Sequence, residues 1–224
     1  MQTPTFIIDF DSTLVTCESL DELARLSLAG NPDRREIMQK LEDITRRGMT
    51  GEIAFDESLR QRLKLFAASR SNLAKLARYL QTHISPSALA AHDWFARNAE
   101  RIYIVSGGFE EFIRPVTTQL DIATDHVFAN RFLYSGDTVT GFDTTRPTSR
   151  AGGKAAQIAA LGLPGPIILI GDGYTDYEVK ASGAADEFWA FTETIDRPQV
   201  TANADRTIAT FIEVATPEYL STNK

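Results

Sequence analysis

Cysteine is nearly absent from the sequence, because Cys17 is the only one among 224 residues. An internal disulfide is therefore excluded, and a single cysteine fits a reducing compartment. Histidine is scarce as well, and the three histidines, His83, His92 and His126, fall outside every motif described below. Their positions weigh against a phosphohistidine mechanism and against a histidine-bound zinc site.

Long apolar runs and an excess of positive charge are also missing. No stretch approaches the ~20 apolar residues that a transmembrane helix needs, and no basic segment followed by a long apolar one precedes the first predicted strand. The net charge is −7, with acidic and basic residues mixed along the chain. This balance argues against nucleic acid or an anionic membrane as the main partner. We expect a cytoplasmic protein with no membrane partner and no nucleic-acid partner.

The order of the apolar patterns predicts an α/β fold. In the second part of the chain, strands alternate with helices, which is typical of a parallel sheet with helices on both faces. Residues 15–84 instead show helical periodicity without a convincing strand, which indicates a helical insertion after the first strand. We predict a core formed by residues 1–14 and 85–224, and a helical domain formed by residues 15–84.

Two carboxylates follow the first predicted strand. Phe6-Ile7-Ile8 is a short apolar run typical of a strand buried on both faces, and Asp9 follows it directly, with Asp11 two residues later. Unpaired carboxylates at the end of a buried strand are costly for stability, whereas the carboxyl ends of parallel strands line a ligand-binding crevice. Asp9 and Asp11 are therefore candidates for the ligands of a divalent cation, or for a nucleophile and a general acid.

A third aspartate is predicted at the same edge of the sheet. Asp172 lies in the turn Gly171-Asp172-Gly173 after another predicted strand, so it can join Asp9 and Asp11 around one cation, with Asp176 in support. Mg²⁺ is the expected ion, because it takes oxygen ligands.

Groups suited to phosphate oxygens accompany these acids. Ser106 and the Gly107 amide follow a third predicted strand, where glycine allows a close approach of the backbone. Lys154, near the start of a predicted helix, adds a compact positive charge. Positioning and charge neutralisation of this kind are what phosphoryl transfer requires.

As a set, four segments resemble the four motifs of the haloacid dehalogenase-like hydrolase superfamily, in order and at suitable spacing. They are residues 9–15, residues 106–109, Lys154 and residues 171–176. Within this superfamily the chain looks like the phosphoserine phosphatase branch, because Glu18 follows the first motif and the segments 55–62 and 128–131 are similar to that branch. The resemblance covers nearly the whole chain.

The resemblance implies a Rossmann-like parallel-sheet core with a helical cap inserted after the first strand. It also implies that Asp9 attacks phosphorus to form an aspartyl phosphate, and that Asp11 acts first as an acid and then as a base. The implied contacts of Mg²⁺ are Asp9, the Asp11 carbonyl and Asp172, with Asp176 behind them, and the implied phosphate contacts are Ser106, Gly107 and Lys154.

In the cap, the resemblance implies that Glu18 faces a substrate ammonium and Arg60 a substrate carboxylate, while Met49 and Phe55 close over them. Thr175 would contact the substrate from the fourth motif. It stands where phosphoserine phosphatases usually carry asparagine, which leaves the exact substrate open.

Two of the cap assignments have plain alternatives. Arg60 shares its predicted helix with Arg62, so it could belong to a solvated face. Glu18 could be an acidic first-turn residue favoured by the helix dipole.

These observations predict a magnesium-dependent phosphatase acting on a small phosphorylated metabolite, with O-phospho-L-serine as the first choice. Another phosphorylated metabolite, or transfer of phosphate to an acceptor other than water, is the alternative with the same chemistry. Carbon–halogen hydrolysis would need the nucleophile but neither Asp11 nor a metal. A binding protein without turnover would be expected to lack Asp9, Asp11 or Lys154, and all three are present.

Overall fold

A six-stranded parallel sheet forms the centre of the protein. The computed structural model describes residues 3–215. The described residues contain eight strands, six in this sheet and two in a separate hairpin. They are β1 (Thr5–Ile8), β2 (Ile102–Phe109), β3 (Val127–Asn130), β4 (Phe132–Ser135), β5 (Thr138–Phe142), β6 (Ile167–Gly171), β7 (Glu187–Phe191) and β8 (Arg206–Ile208). The main sheet has the order β3-β2-β1-β6-β7-β8 with parallel pairing throughout. The predicted parallel-sheet core is confirmed.

The first strand lies at the point where the order of the sheet reverses. The chain passes from β1 outward through β2 and β3, and it returns with β6 on the other side of β1. Ligands in open α/β sheets bind beyond the carboxyl ends of the strands at such a point. Because Ile8 pairs with Ile170, the residues that follow β1 and β6 are neighbours in space. This topology brings Asp9 close to Asp172.

Helices cover both faces of the sheet. They are α1 (Ser19–Ser27), α2 (Arg34–Met49), α3 (Phe55–Leu63), α4 (Arg70–Gln81), α5 (Pro86–Ala90), α6 (His92–Asn98), α7 (Glu110–Thr117), α8 (Gly153–Leu161), α9 (Tyr174–Ala181), α10 (Pro198–Thr201) and α11 (Ile212–Ala215). Alternate residues of β1 belong to different apolar clusters: Phe6 and Ile8 to the cluster that includes Phe112 of α7, and Ile7 to the cluster that includes Ile158 of α8. Among residues 3–215, no helix combines the length and the apolarity needed to cross a bilayer.

The segment before β2 differs from its predicted form. A helical pattern over residues 88–99 predicts one helix, but the structure has the two short helices α5 and α6. Ser85 caps α5 by accepting a hydrogen bond from the Ala88 amide, and Pro86 occupies the first turn. The chain then leaves helical geometry at Ala91, whose ψ is +15°. Ala91 is both the last capping residue of α5 and the first of α6, and no side-chain hydrogen bond caps α6 there.

Residues 127–142, predicted as extended segments around a turn at 135–137, divide between two sheets. β3 joins the main sheet beside β2, whereas β4 and β5 form a separate antiparallel hairpin. The last predicted helix, from Thr210, is seen as α11, and its predicted continuation beyond residue 215 lies outside the described residues.

Helices α1 to α4 form the insertion between β1 and β2. Leu73 and Leu76 of α4 share one apolar cluster with Phe112 and Val116 of α7, so α4 packs on the core of the protein. Met38 and Leu41 of α2, by contrast, belong to a smaller cluster within the insertion. The assignment of residues 15–84 to a separate cap domain stays a prediction.

Candidate active site

The turn after β1 carries the first two candidate residues. The Asp9 amide donates to the Ile170 carbonyl at 2.9 Å, which ties this residue to the end of β6. The next residues, Phe10–Leu14, form a wide turn closed by a hydrogen bond from the Val15 amide to the Phe10 carbonyl at 3.0 Å, and within it Ser12 adopts a left-handed conformation with φ of +53°. A left-handed conformation is unfavourable for a residue other than glycine, and such strain gathers at functional sites. The Ser12 hydroxyl donates to Glu18 at 2.8 Å, which helps to hold the turn.

Three buried aspartates meet at the carboxyl edge of the sheet. Asp9, Asp172 and Asp176 each offer a carboxylate oxygen, and these oxygens lie within 4.8 Å of one another. Thr13 donates to Asp172 Oδ1 at 3.1 Å, and the Gly173 amide donates to Asp176 Oδ2 at 3.1 Å. These donors fix the planes of the carboxylates.

The electrostatics of this cluster fit a divalent cation. Burial, and then the negative charge of Glu18, raise the pKa of Asp172 to about 8. Burial also raises the pKa of Asp176 to about 7, although Lys154 acts in the opposite direction. Ionised carboxylates repel one another strongly in a low-dielectric site unless a cation neutralises their charge. Buried oxygen donors at this spacing suit a hard divalent ion.

Lys154 supplies a positive charge beside the cluster. This residue is the second of α8, and its ammonium lies 2.8 Å from Asp9 Oδ2 and 2.8 Å from Asp176 Oδ1. Burial alone would lower the pKa of Lys154, but the carboxylates of Asp176 and Asp9 raise it above its ordinary value. A fixed buried ammonium of this kind can bind a phosphate oxygen.

The second aspartate of the turn has a different environment. Asp11 accepts hydrogen bonds from the Ser19 amide at 2.9 Å and from the Ser19 hydroxyl at 3.0 Å, at the start of α1. Burial, followed by the charge of Glu18, raises the pKa of Asp11 well above its ordinary value, while the Ser19 hydrogen bonds act in the opposite direction. A carboxyl group that holds its proton more tightly than usual is suited to general acid catalysis.

The end of β2 forms the opposite wall. Ser106 is buried, and its hydroxyl accepts a hydrogen bond from the Gly108 amide at 3.0 Å. The ring of Phe55 lies against Gly107 so closely that a Cβ atom there would be 2.4 Å from Phe55 Cζ. Asn130 of β3 donates to the Gly107 carbonyl at 2.9 Å. A side chain at position 107 would therefore displace the Phe55 ring from this wall of the cavity.

One cavity brings most of the predicted site residues together. From the sheet and its loops it is lined by Asp9, Asp11, Ser106, Gly107, Lys154 and Thr175, and from the insertion by Glu18, Met49 and Phe55. The methyl group of Met49 packs over Gly173, where an added Cβ atom would be 2.9 Å from Met49 Cε. Met49 and Phe55 thus close the cavity from the insertion side.

The structure corrects the position of the predicted cap arginine. Arg60 does not line this cavity; its guanidinium forms ion pairs with Asp56 and Glu57 on the exposed side of α3. Arg62 lines the cavity instead and is 8% exposed. The physical reason is helical periodicity: Arg62 follows Phe55 by seven residues and Leu59 by three, so it shares their inward face.

Arg62 is only partly satisfied by its neighbours. Its Nη1 donates to the Thr45 hydroxyl at 3.4 Å and lies 3.9 Å from Asp21 Oδ1. Its Nε is buried without a hydrogen-bond partner. Because an unsatisfied buried donor is costly, the protein itself does not fully compensate the burial of this guanidinium.

A second arginine was not identified from the sequence. Arg197 lies in the loop between β7 and α10, and its guanidinium contacts both Asp172 and Glu18. No motif or periodic pattern surrounds it. The only sequence signal is its position after a predicted strand of the parallel sheet, and that signal does not single out one residue of the loop.

Comparisons with known proteins agree with this geometry. Residues 6–179 match the model of the haloacid dehalogenase-like hydrolase family. The chain belongs to this family. The chain is similar to the chloroplastic phosphoserine phosphatase of Arabidopsis thaliana, with 36% identity over 208 residues. These residues cover 91% of this chain and 68% of the relative. The human phosphoserine phosphatase is 34% identical over 211 residues, which cover 92% of this chain and 89% of the relative.

A solved structure gives the same result for the fold. A phosphoserine phosphohydrolase-like protein from Francisella tularensis superposes with a TM-score of 0.84 at 28% identity, covering 95% of this chain and 98% of that protein. The predicted superfamily, its phosphoserine phosphatase branch and the α/β fold are confirmed. The roles of the individual site residues stay predictions.

Proposed function

We propose that this haloacid dehalogenase-like hydrolase is a phosphatase that hydrolyses O-phospho-L-serine to serine and phosphate. The observation that carries the proposal is the set of groups around Asp9: the Lys154 ammonium at 2.8 Å, two further buried carboxylates, and Asp11 with a raised pKa in the same cavity. The names of the relatives in Arabidopsis thaliana and humans support the substrate.

The proposed reaction has two steps. In the first, an oxygen of Asp9 attacks phosphorus, the bond to the serine oxygen breaks, and Asp11 gives its proton to the departing alkoxide. In the second, Asp11 takes a proton from water as that water attacks phosphorus, which releases phosphate and restores the Asp9 carboxylate. Ser106, the Gly107 amide and Lys154 hold the phosphoryl oxygens during both steps.

The proposed cofactor is Mg²⁺. Asp9, Asp172 and the Asp11 carbonyl would hold it, and Asp176 would stand behind, where it accepts hydrogen bonds from Lys154 and the Gly173 amide. When bound, the ion supplies positive charge that neutralises phosphoryl oxygens. The preference for Mg²⁺ over other divalent ions rests on the oxygen donors.

Opposite charges in the cavity support a zwitterionic substrate. Glu18 and Arg62 both line the cavity, and the Arg62 Nε has no hydrogen-bond partner among the described residues. A guanidinium can bind a carboxylate through two parallel hydrogen bonds, and the Glu18 carboxylate can accept from an ammonium. We therefore assign the carboxylate contact to Arg62 in place of Arg60. The cytoplasm remains the proposed location, on the basis of the single cysteine.

Phosphate release from a substrate panel tests the proposal. The panel contains phosphoserine, phosphothreonine, sugar phosphates and nucleotides, each measured with and without Mg²⁺ and with alternative acceptor alcohols. We expect phosphoserine to have the highest kcat/KM, with water as the acceptor. A preference for a sugar phosphate or a nucleotide would contradict the substrate, and transfer to an added alcohol in preference to water would contradict hydrolysis.

A further inference from the structure

Arg197 joins two parts of the active site that are far apart in the chain. Its Nε donates to Asp172 Oδ2 at 3.0 Å, and its Nη2 donates to Glu18 Oε1 at 3.4 Å. The Arg197 side chain is only 12% exposed. It therefore differs from surface arginines, whose ion pairs contribute little.

Glu18 is held from two sides by donors that share one oxygen. The Ser12 hydroxyl donates to Glu18 Oε1 at 2.8 Å, and Arg197 Nη2 donates to the same atom. These hydrogen bonds anchor Oε1, whereas Oε2 accepts no hydrogen bond among residues 3–215. Glu18 also lines the cavity that contains Asp9 and Lys154.

Arg197 is anchored on the opposite side by a rigid group. Asp172 is fully enclosed, and its other oxygen accepts from Thr13 at 3.1 Å. Because the guanidinium is planar and presents several donors in a fixed geometry, one arginine can contact both carboxylates at once, whereas a lysine ammonium is a point charge on a flexible stem. The link therefore runs from the carboxyl end of β6, through Arg197, to the residue that precedes α1.

We propose that Arg197 is a positioning residue that sets the specificity of the site for a substrate ammonium. It does so by holding the Glu18 carboxylate at a fixed position relative to Asp172. This inference rests on the proposed function, because it assumes that Glu18 receives the ammonium of phosphoserine. Loss of Arg197 lets the Glu18 carboxylate rotate away, so an ammonium-bearing substrate loses an aligned acceptor. A phosphate ester without an ammonium, such as p-nitrophenyl phosphate, loses only the support that Arg197 gives to Asp172.

A double-mutant cycle tests this role. The proteins are wild type, Arg197→Met, Glu18→Gln and the double variant, with Arg46→Met as a control that removes an exposed arginine with two surface ion pairs. Each is assayed for kcat and KM with phosphoserine and with p-nitrophenyl phosphate, and for its unfolding free energy in urea. Arg197→Lys is a fifth variant, which keeps the positive charge but loses the planar guanidinium. It replaces Arg197→Met in the cycle if the Arg197→Met protein does not fold.

We expect Arg197→Met to reduce kcat/KM for phosphoserine by at least ~10-fold, in line with the effect of removing a residue that orients a functional group. The loss should be mainly in KM, because the ammonium loses an aligned acceptor. The loss with p-nitrophenyl phosphate should be several-fold smaller. In the Glu18→Gln background, the extra loss on phosphoserine should largely disappear, because residues that act through one another are not additive. Arg197→Lys should recover less than half of the lost affinity, and Arg46→Met should behave as wild type.

Three results would overturn the inference: equal losses on the two substrates, full additivity with Glu18→Gln, or a lower KM for phosphoserine in Arg197→Met. If wild type does not hydrolyse phosphoserine, the proposed function fails separately. In that case the double-mutant cycle of unfolding free energies, measured in urea, tests the role of Arg197. A coupling free energy between Arg197 and Glu18 supports the positioning link, and its absence refutes it.

Discussion

At the scale of single residues, Asp9 and Asp11 differ because their neighbours differ. Asp9 lies 2.8 Å from the Lys154 ammonium and beside Asp172 and Asp176. Asp11 faces the start of α1 and has a pKa that burial raises. Two carboxylates in such different surroundings can take the separate roles of nucleophile and acid.

Substitution of the nucleophile should abolish turnover. Asp9→Asn keeps the size of the side chain but removes the attacking oxygen anion, so we expect phosphatase activity to fall by at least ~10⁴-fold. Phosphate release measures the loss, and circular dichroism with urea unfolding checks that the variant is folded. A folded Asp9→Asn protein with most of its activity would contradict the covalent mechanism.

Substitution of the acid should slow both chemical steps. Asp11→Asn cannot give or take the proton, so we expect each step to fall ~10²–10⁴-fold, resolved by quenched flow with labelled substrate. Wild-type rates in both steps would assign the proton transfers to another group.

The pH dependence of the first step provides a second measure of Asp11. Because its pKa is raised above 3.8, the acid form persists to higher pH than in a free aspartate. In single turnovers of wild type, formation of the phosphoenzyme should slow as pH rises through that raised pKa, since the proton for the leaving group is then lost. Asp11→Asn should lack this decline, and an unchanged decline in that variant would assign it to another group.

At the scale of elements, α3 determines which arginine reaches the cavity. Phe55, Leu59 and Arg62 lie on its inward face, and Arg60 lies on the exposed face with Asp56. Side chains three, four and seven residues apart share a face of a helix, so the choice between two nearby arginines follows from the way this helix packs in the insertion.

Paired arginine substitutions test this orientation. Arg62→Ala should lower kcat/KM for phosphoserine by at least ~10-fold, the equivalent of ~1.4 kcal/mol, because a charge-assisted contact to the substrate carboxylate is lost. Arg60→Ala is the matched control and should change kcat/KM by less than ~3-fold, since its ion pairs are exposed. p-Nitrophenyl phosphate, which has no carboxylate, should distinguish the two roles. A larger loss from Arg60→Ala than from Arg62→Ala would contradict the assignment.

At the scale of the whole molecule, the topology brings together acids that are far apart in the sequence. β1 and β6 are adjacent although more than 150 residues separate Thr13 from its hydrogen-bond partner Asp172. A cation bound there would link the two halves of the sheet, so metal binding should stabilise the native protein.

Removal and return of Mg²⁺ test this coupling. A chelator should stop phosphate release and lower Tm, and added Mg²⁺ should restore both, with a stabilisation of ~2.7 kcal/mol at a hundredfold excess over Kd. Asp172→Asn should lose most of the Mg²⁺-dependent rise in Tm, whereas Arg60→Ala should keep it. Full activity in metal-free protein would contradict a cation site at Asp9 and Asp172.

The sequence alone determined the parallel-sheet fold, the position of the active edge and most of the residues that line the cavity. These features are encoded locally: Phe6-Ile7-Ile8 followed by Asp9 reports both a buried strand and the place where it ends. The tertiary structure decided the rest. The inward face of α3 depends on how the helix packs, and Arg197 reaches Glu18 across 179 residues only because β7 ends near β1 and β6. Local patterns report which groups share a strand or a helix, whereas contacts between distant loops arise only when the whole sheet has formed.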